Sequence, residues 1–129
     1  TEPDGNDNSV VLRLVKGRVS VLLTGDLEVG GLPVLLGQRD RLSSMVLKVP
    51  HHGSDVGEIG RAFFHAVRPS VALISVGRLH HLPSPATMTA LSELETQTLL
   101  TVRDGAVRLR TDGERLLITT QRGRSVTIR

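Results

Sequence analysis

The chain has 129 residues and 39% hydrophobic content, the size of one domain with enough apolar material for a core. It has no cysteine, which excludes disulfides and thiolate metal sites and leaves His, Asp and Glu for any metal. Its net charge is only +3, and Phe63 and Phe64 are its sole Phe, Tyr or Trp residues, which argues against stacking platforms for single-stranded nucleic acid. No apolar run is long enough to cross a bilayer, and no secretory signal opens the chain. The polar, turn-forming residues 1–8 read as a linker, with 9–129 as one unit.

In chain order, "SVVLRLVKGRVSVLLTGD" is two β-rich runs split by Lys16-Gly17-Arg18, a hairpin signal. In the first run Val10, Leu12 and Leu14 alternate with Val11, Arg13 and Val15, so cover on both faces at one end is expected. The second, Val19 to Leu23, is apolar enough for a central strand and ends at Thr24-Gly25-Asp26. "GGLPVLLGQRDRL" is a short helical or irregular crossover with Leu32, Leu35 and Leu36 as its stripe. "MVLKVP" is a further buried strand, stopped by Pro50.

Asp55 with Glu58 has the spacing of a capping box. Ile59, Ala62, Phe63, Ala66 and Val67 then recur at helical spacing, and Pro69 ends the helix. His65 falls on the opposite, solvated face of that helix. "VALISVG" is another buried strand. Ser84-Pro85 supplies a cap and a first-turn proline for a helix carrying Met88, Leu91 and Leu94. The tail reads as short strands and turns: "LLTV", Asp104-Gly105, "AVRLR", Asp112-Gly113, "RLLITT", Arg122-Gly123, "SVTI". The expected fold is an α/β layered domain with a mixed sheet, flanking helices and a C-terminal β-meander.

Three apolar strands end in polar clusters: Asp26 and Glu28, then His51 and His52, then His80 and His81. Parallel neighbours would bring a carboxylate and several imidazoles to one rim, where open α/β sheets place ligands. A divalent cation takes such a mixture of oxygen and nitrogen donors. Each cluster alone is also an ordinary turn or polar loop. From Arg103 onward, Arg103, Arg108, Arg110, Arg115, Arg122, Arg124 and Arg129 outnumber Asp104, Asp112 and Glu114. That imbalance favours polyanions, and it equally fits an arginine-rich surface.

The ordered set "NSVVLRL", "LLTGDLE", "LKVPHHGS" and "ALISVG" resembles the metallo-β-lactamase-fold domain at the C-terminal end of ComEC-type competence proteins, inner-membrane channels that pass transforming DNA into bacteria. The resemblance runs from Asn8 to roughly Ile118. It implies that Asp26 is the carboxylate able to bridge two metals, Zn²⁺ or Mn²⁺, and that His52 is a ligand. His51 is then a supporting or substrate-facing group, and an imidazole such as His51 or His81 protonates the leaving oxygen. Ser54 is expected only to help cap the following helix. The implied substrate is DNA, cleaved at a phosphodiester, with Arg78, Arg108 and Arg110 holding its backbone.

Two departures matter. The fold's initial His-x-(His/Asp)-x-Asp-His ligand motif is missing, since all five histidines lie at position 51 or later. The chain therefore resembles the second half of the αββα sandwich, cut from a longer protein, and as a fragment is expected to hold no metal and to be inactive. Aligned on Pro83, Leu82 stands where the family has a histidine, and Asn8 stands where many relatives of the wider superfamily place one. Either His80 or His81 substitutes, or the site has decayed. The resemblance thus implies a metal-dependent nuclease domain, joined to a membrane channel and facing the extracytoplasmic side. The alternative is a non-catalytic DNA-handling or scaffold module. A hydrolase of small esters or lactams fits less well with the basic tail and the lack of aromatics. A missing half would uncover a sheet edge and an apolar face, which favours a homodimer.

Overall fold

A computed structural model describes residues 8–78 and 81–129. The Lys16-Gly17-Arg18 signal makes a tight hairpin: β1 (Leu12–Lys16) pairs antiparallel with β2 (Val19–Leu23), Lys16 opposite Val19. Gly17 is needed in that turn. Its φ is +56°, and a Cβ there would lie 2.2 Å from the Gly113 carbonyl oxygen of a later turn.

A short helix α1 (Leu32–Leu36) buries Leu32 and leads through a 3₁₀ turn to β3 (Val46–Lys48). The 3₁₀ segment Pro50–Gly53 and helix α2 (Gly57–Val67) then return the chain to β4 (Val71–Ile74). Helix α3 (Pro85–Glu93) leads to β5 (Gln97–Leu100). The sheet order is β1-β2-β3-β4-β5, with β2 to β5 all parallel and β1 antiparallel at the edge.

Alternation along these strands sorts residues into two cores. Leu22, Leu47, Ala72 and Ile74 pack toward the helices with Phe63, Phe64, Val67 and Leu91. Val19, Val46, Val71 and Leu99 face the other way, onto Leu116 and Ile118 of a three-stranded antiparallel meander. That meander comprises β6 (Val107–Thr111), β7 (Leu116–Thr120) and β8 (Ser125–Ile128). The mixed sheet, flanking helices and meander agree with the expected α/β class.

Three local expectations differ from what is observed. Residues 12–16 are exposed throughout, with Leu14 at 54% and Val15 at 58%. Alternation cannot reveal that β1 lies at the edge, where neither layer covers it. The Asp55/Glu58 capping box does not form. The Asp55 carboxylate accepts from the Gly57 N–H at 2.8 Å, ahead of a helix whose N-cap is Val56.

The run "LLTV" is not a meander strand. Leu99 and Leu100 complete β5, parallel to β4, and Thr101–Asp104 coil into one helical turn, α4. The chain is diverted there because Thr101 Oγ1 donates to the Val76 carbonyl at 3.0 Å and accepts from the Val76 N–H at 2.8 Å. Asp104-Gly105 is therefore a helix end and not a hairpin turn.

Asp104 holds this junction together. It is 2% exposed and accepts from the Leu100 N–H at 3.0 Å, from Arg103 at 3.0 Å and from Arg124 at 3.2 Å. Burial alone would raise its pKa, but hydrogen bonds from Arg103, Leu100 and Arg124 outweigh that and hold the carboxyl below its ordinary range. Arg122 donates to the carbonyls of Val102 and Arg103 at 3.1 and 2.9 Å. Three of the seven arginines from Arg103 onward are thus spent at this junction.

Candidate functional site

The carboxyl ends of β2, β3 and β4 lie side by side, because β3 pairs in parallel with both neighbours. After β2, Thr24 is fully buried and its hydroxyl donates to the Lys48 carbonyl at 2.7 Å, tying two strand ends together. Gly25 turns with φ +56° against Ser9, whose hydroxyl accepts from the Asp26 N–H at 3.1 Å. Leu27 is buried at 3% exposure, so Asp26 and Glu28 on either side of it project toward the rim.

After β3, both histidines adopt left-handed backbone, His51 at φ 48°, ψ 48° and His52 at φ 57°, ψ 23°. Such residues cost about 1–2 kcal/mol each and persist only where the surroundings hold them. Here the His51 N–H donates to the Gly25 carbonyl at 3.2 Å, and the Ser54 N–H to the His51 carbonyl at 3.1 Å. Gly53 packs so closely on Pro83 that a Cβ would lie 2.6 Å from the proline Cβ. The Ser84 N–H donates to the Gly53 carbonyl at 2.9 Å, fixing the histidine loop to the start of α3.

The geometry determines how the rings are used. His52 Nδ1 lies 2.7 Å from the Ser75 carbonyl oxygen, which can only accept, so Nδ1 carries the proton. Its Nε2 then faces the Asp26 carboxylate 3.5 Å away. In the neutral ring that nitrogen is a lone pair aimed at an anion, an arrangement that calls for a proton or a cation between them. His51 Nδ1 pairs with the Glu28 carboxylate and also lies 3.2 Å from Ser54 Oγ. Ser54 is thus tied to His51 and does not cap α2, whose N-cap is Val56 with no side-chain cap hydrogen bond.

A cleft of about 730 Å³ opens beside the rings, lined by His51, His52, Ser75, Val76, Gly77, Leu82 and Thr101. Leu82 therefore faces the same space as the histidines. His81 is exposed, with φ 48°, and does not line the cleft. His80 lies outside the described residues. Among the described residues no group of three or more His, Asp or Glu is placed to hold a metal. Asp26 and His52 are brought together as a pair, with Nε2 3.5 Å from Oδ1.

His65 is exposed on α2, away from the rim. Arg78 is exposed and directly follows Gly77, which lines the cleft. Arg108 and Arg110 lie on the outer face of β6, their side chains exposed and without a hydrogen bond or ion pair to any described residue. Glu28 is the site residue to which sequence reasoning gave no role. Its signal was the Asp-Leu-Glu alternation around a buried leucine.

These features define an α/β domain that presents two carboxylate–imidazole pairs at the ends of adjacent parallel strands. Competence proteins are among those it is similar to. The chain is 35% identical over 108 residues to ComE operon protein 3 of Bacillus subtilis (strain 168), a match covering 81% of this chain and 14% of that protein. It is 43% identical over 75 residues to competence protein ComA of Neisseria gonorrhoeae, covering 57% of this chain and 11% of that protein. Recombination protein 2 of Haemophilus influenzae matches at 33% over 115 residues, covering 88% of this chain and 14% of that protein. The chain thus spans no more than 14% of the length of these relatives. No family model and no solved structure matches it. Among the described residues no helix is long and apolar enough to cross a membrane.

Proposed function

We propose that this chain is the second half of the metallo-β-lactamase-fold domain of a ComEC-type competence protein, and that the whole domain hydrolyses DNA phosphodiesters during uptake. The observation that carries this reading is the Asp26–His52 pair. With Nδ1 committed to Ser75, His52 turns Nε2 toward a carboxylate across 3.5 Å. Similarity to competence proteins supports the DNA-uptake setting.

On this reading Asp26 and His52 hold a divalent cation, Zn²⁺ or Mn²⁺, together with ligands from the rest of the polypeptide. The bound cation supplies an acidified water and charge stabilisation at phosphorus. The chain's own residues do the remaining work. Arg78 meets the phosphate backbone at the cleft mouth. His51, held through Nδ1–H on Glu28, acts from its imidazolium form: Nε2–H gives its proton to the leaving oxygen and the ring is left as the Nδ1–H tautomer. Arg108 and Arg110 extend the contact along the outer face of the meander. The domain belongs with a membrane channel in the same polypeptide, on the extracytoplasmic side, and the open edge of β1 is where two copies of the isolated chain would pair.

A second reading is favoured by Leu82 in the cleft and by a donor set of two among the described residues: a DNA-handling or scaffold module with a decayed site. Calorimetric titration of Mn²⁺ and Zn²⁺ into this chain and into the longer polypeptide, with a nuclease assay on each, separates the two. The nuclease reading expects weak binding by the chain alone, tight binding by the longer protein, and cleavage that Asp26→Ala abolishes. A longer protein that binds DNA but neither metal would leave the scaffold reading.

A further inference from the structure

The two histidines are adjacent in sequence and share one backbone conformation, yet their partners differ in kind. Both rings are held through Nδ1, His52 by the neutral Ser75 carbonyl and His51 by the Glu28 carboxylate. Both therefore leave Nε2 for chemistry, and among the described residues His52 alone has a carboxylate, Asp26, facing that nitrogen. We infer that Glu28 is a positioning residue that holds His51 in the Nδ1–H tautomer, with Nε2 left for the cleft, and so separates a proton-carrying histidine from a cation-binding one.

Three observations support this division. Leu27 is buried between Asp26 and Glu28, so a single anchored leucine aims one carboxylate at each ring. The rings lie 6.0 Å apart and are inclined at 52°, so they do not converge face to face on one point. Free imidazole side chains favour the Nε2–H tautomer, so the opposite tautomer needs an acceptor at Nδ1, and an anionic one is the stronger kind. Ser54 Oγ, at 3.2 Å from the same nitrogen, is a weaker second acceptor. Sequence spacing alone could not assign these pairs, because the crossing from β2 to β3 brings Glu28 to the first histidine and Asp26 to the second.

The inference rests on the proposed hydrolase for its purpose but not for its test. Long-range ¹H–¹⁵N correlation on the labelled chain, at a pH where both rings are neutral, reads each tautomer directly. Both histidines are expected as Nδ1–H. Glu28→Ala should return His51 to the Nε2–H form while His52 stays unchanged as an internal control. Glu28→Gln, whose amide oxygen still accepts, should keep the Nδ1–H form, and Ser54→Ala should keep it as well. In the longer polypeptide Glu28→Ala should lower kcat for DNA cleavage by about 10-fold or more at unchanged metal stoichiometry. A wild-type His51 in the Nε2–H form, or a tautomer indifferent to Glu28→Ala, overturns the inference. The expected tautomers in a longer protein that never cleaves DNA would uphold Glu28 as the group that positions His51 and remove the nuclease reading instead.

Discussion

Two carboxylate clusters in this chain show opposite designs. Asp104 is almost fully buried and surrounded by donors: a backbone N–H and two guanidinium groups. Asp26 is 42% exposed and faces one half-exposed imidazole at 3.5 Å, on a loop whose two histidines are held in left-handed backbone. The first arrangement leaves nothing for a ligand to improve. The second stores strain and leaves valence open, which is how proteins arrange groups that act on something else. Satisfaction and burial, more than residue type, separate the structural carboxylate from the one proposed to hold a cation.

The largest expected effect tests that contrast through stability. Asp104→Ala leaves the Leu100 N–H and two guanidinium groups without their acceptor and should cost about 2–4 kcal/mol. Asp26→Ala should change stability by less than about 0.5 kcal/mol, because its surroundings remain hydrated. Denaturant midpoints measure both, and equal losses would erase the distinction. The acid limb sharpens it. A carboxyl whose folded pKa is depressed contributes stability that is present above its unfolded value and lost as pH falls through the folded one. Asp104 has an unfolded reference near 3.8, so its contribution should fade only below about pH 4, and Asp104→Asn should flatten that limb.

A smaller effect of opposite sign is expected at the histidine loop. Replacing His51 and His52 together by glycine removes the left-handed strain and should stabilise the chain by about 1 kcal/mol net of the lost hydrogen bonds, read as a raised Tm. A lowered Tm would mean that the loop is not strained. The smallest effect lies in the basic tail. Arg108→Ala with Arg110→Ala should leave stability within about 0.5 kcal/mol while flattening the salt dependence of DNA binding by about one unit per arginine. Arg124→Ala should do the reverse, lowering stability through Asp104.

What the sequence made legible follows the same division. Strand ends were readable from apolar runs stopped by Thr24-Gly25-Asp26 and by Pro50, so the rim and its residues could be named in advance. Helix α3 was readable from Ser84-Pro85, whose hydroxyl does accept from Thr87. The tail was misread at Asp104 because that carboxylate depends on Arg124, 20 positions away, and a local pattern cannot register a distant partner. The exposure of β1 was hidden for a related reason, since its alternation matches an interior strand and only sheet order makes it an edge. Glu28 escaped because its role depends on which histidine it meets.

The central claim is that Asp26 and His52 share a cation. The direct measurement is selective paramagnetic broadening of the histidine ring signals as Mn²⁺ is added to the labelled chain. The account predicts that His52 broadens first, well before His65, and that Asp26→Ala abolishes the selectivity. Uniform broadening of all histidines, or selective broadening of His52 that survives Asp26→Ala, would contradict it.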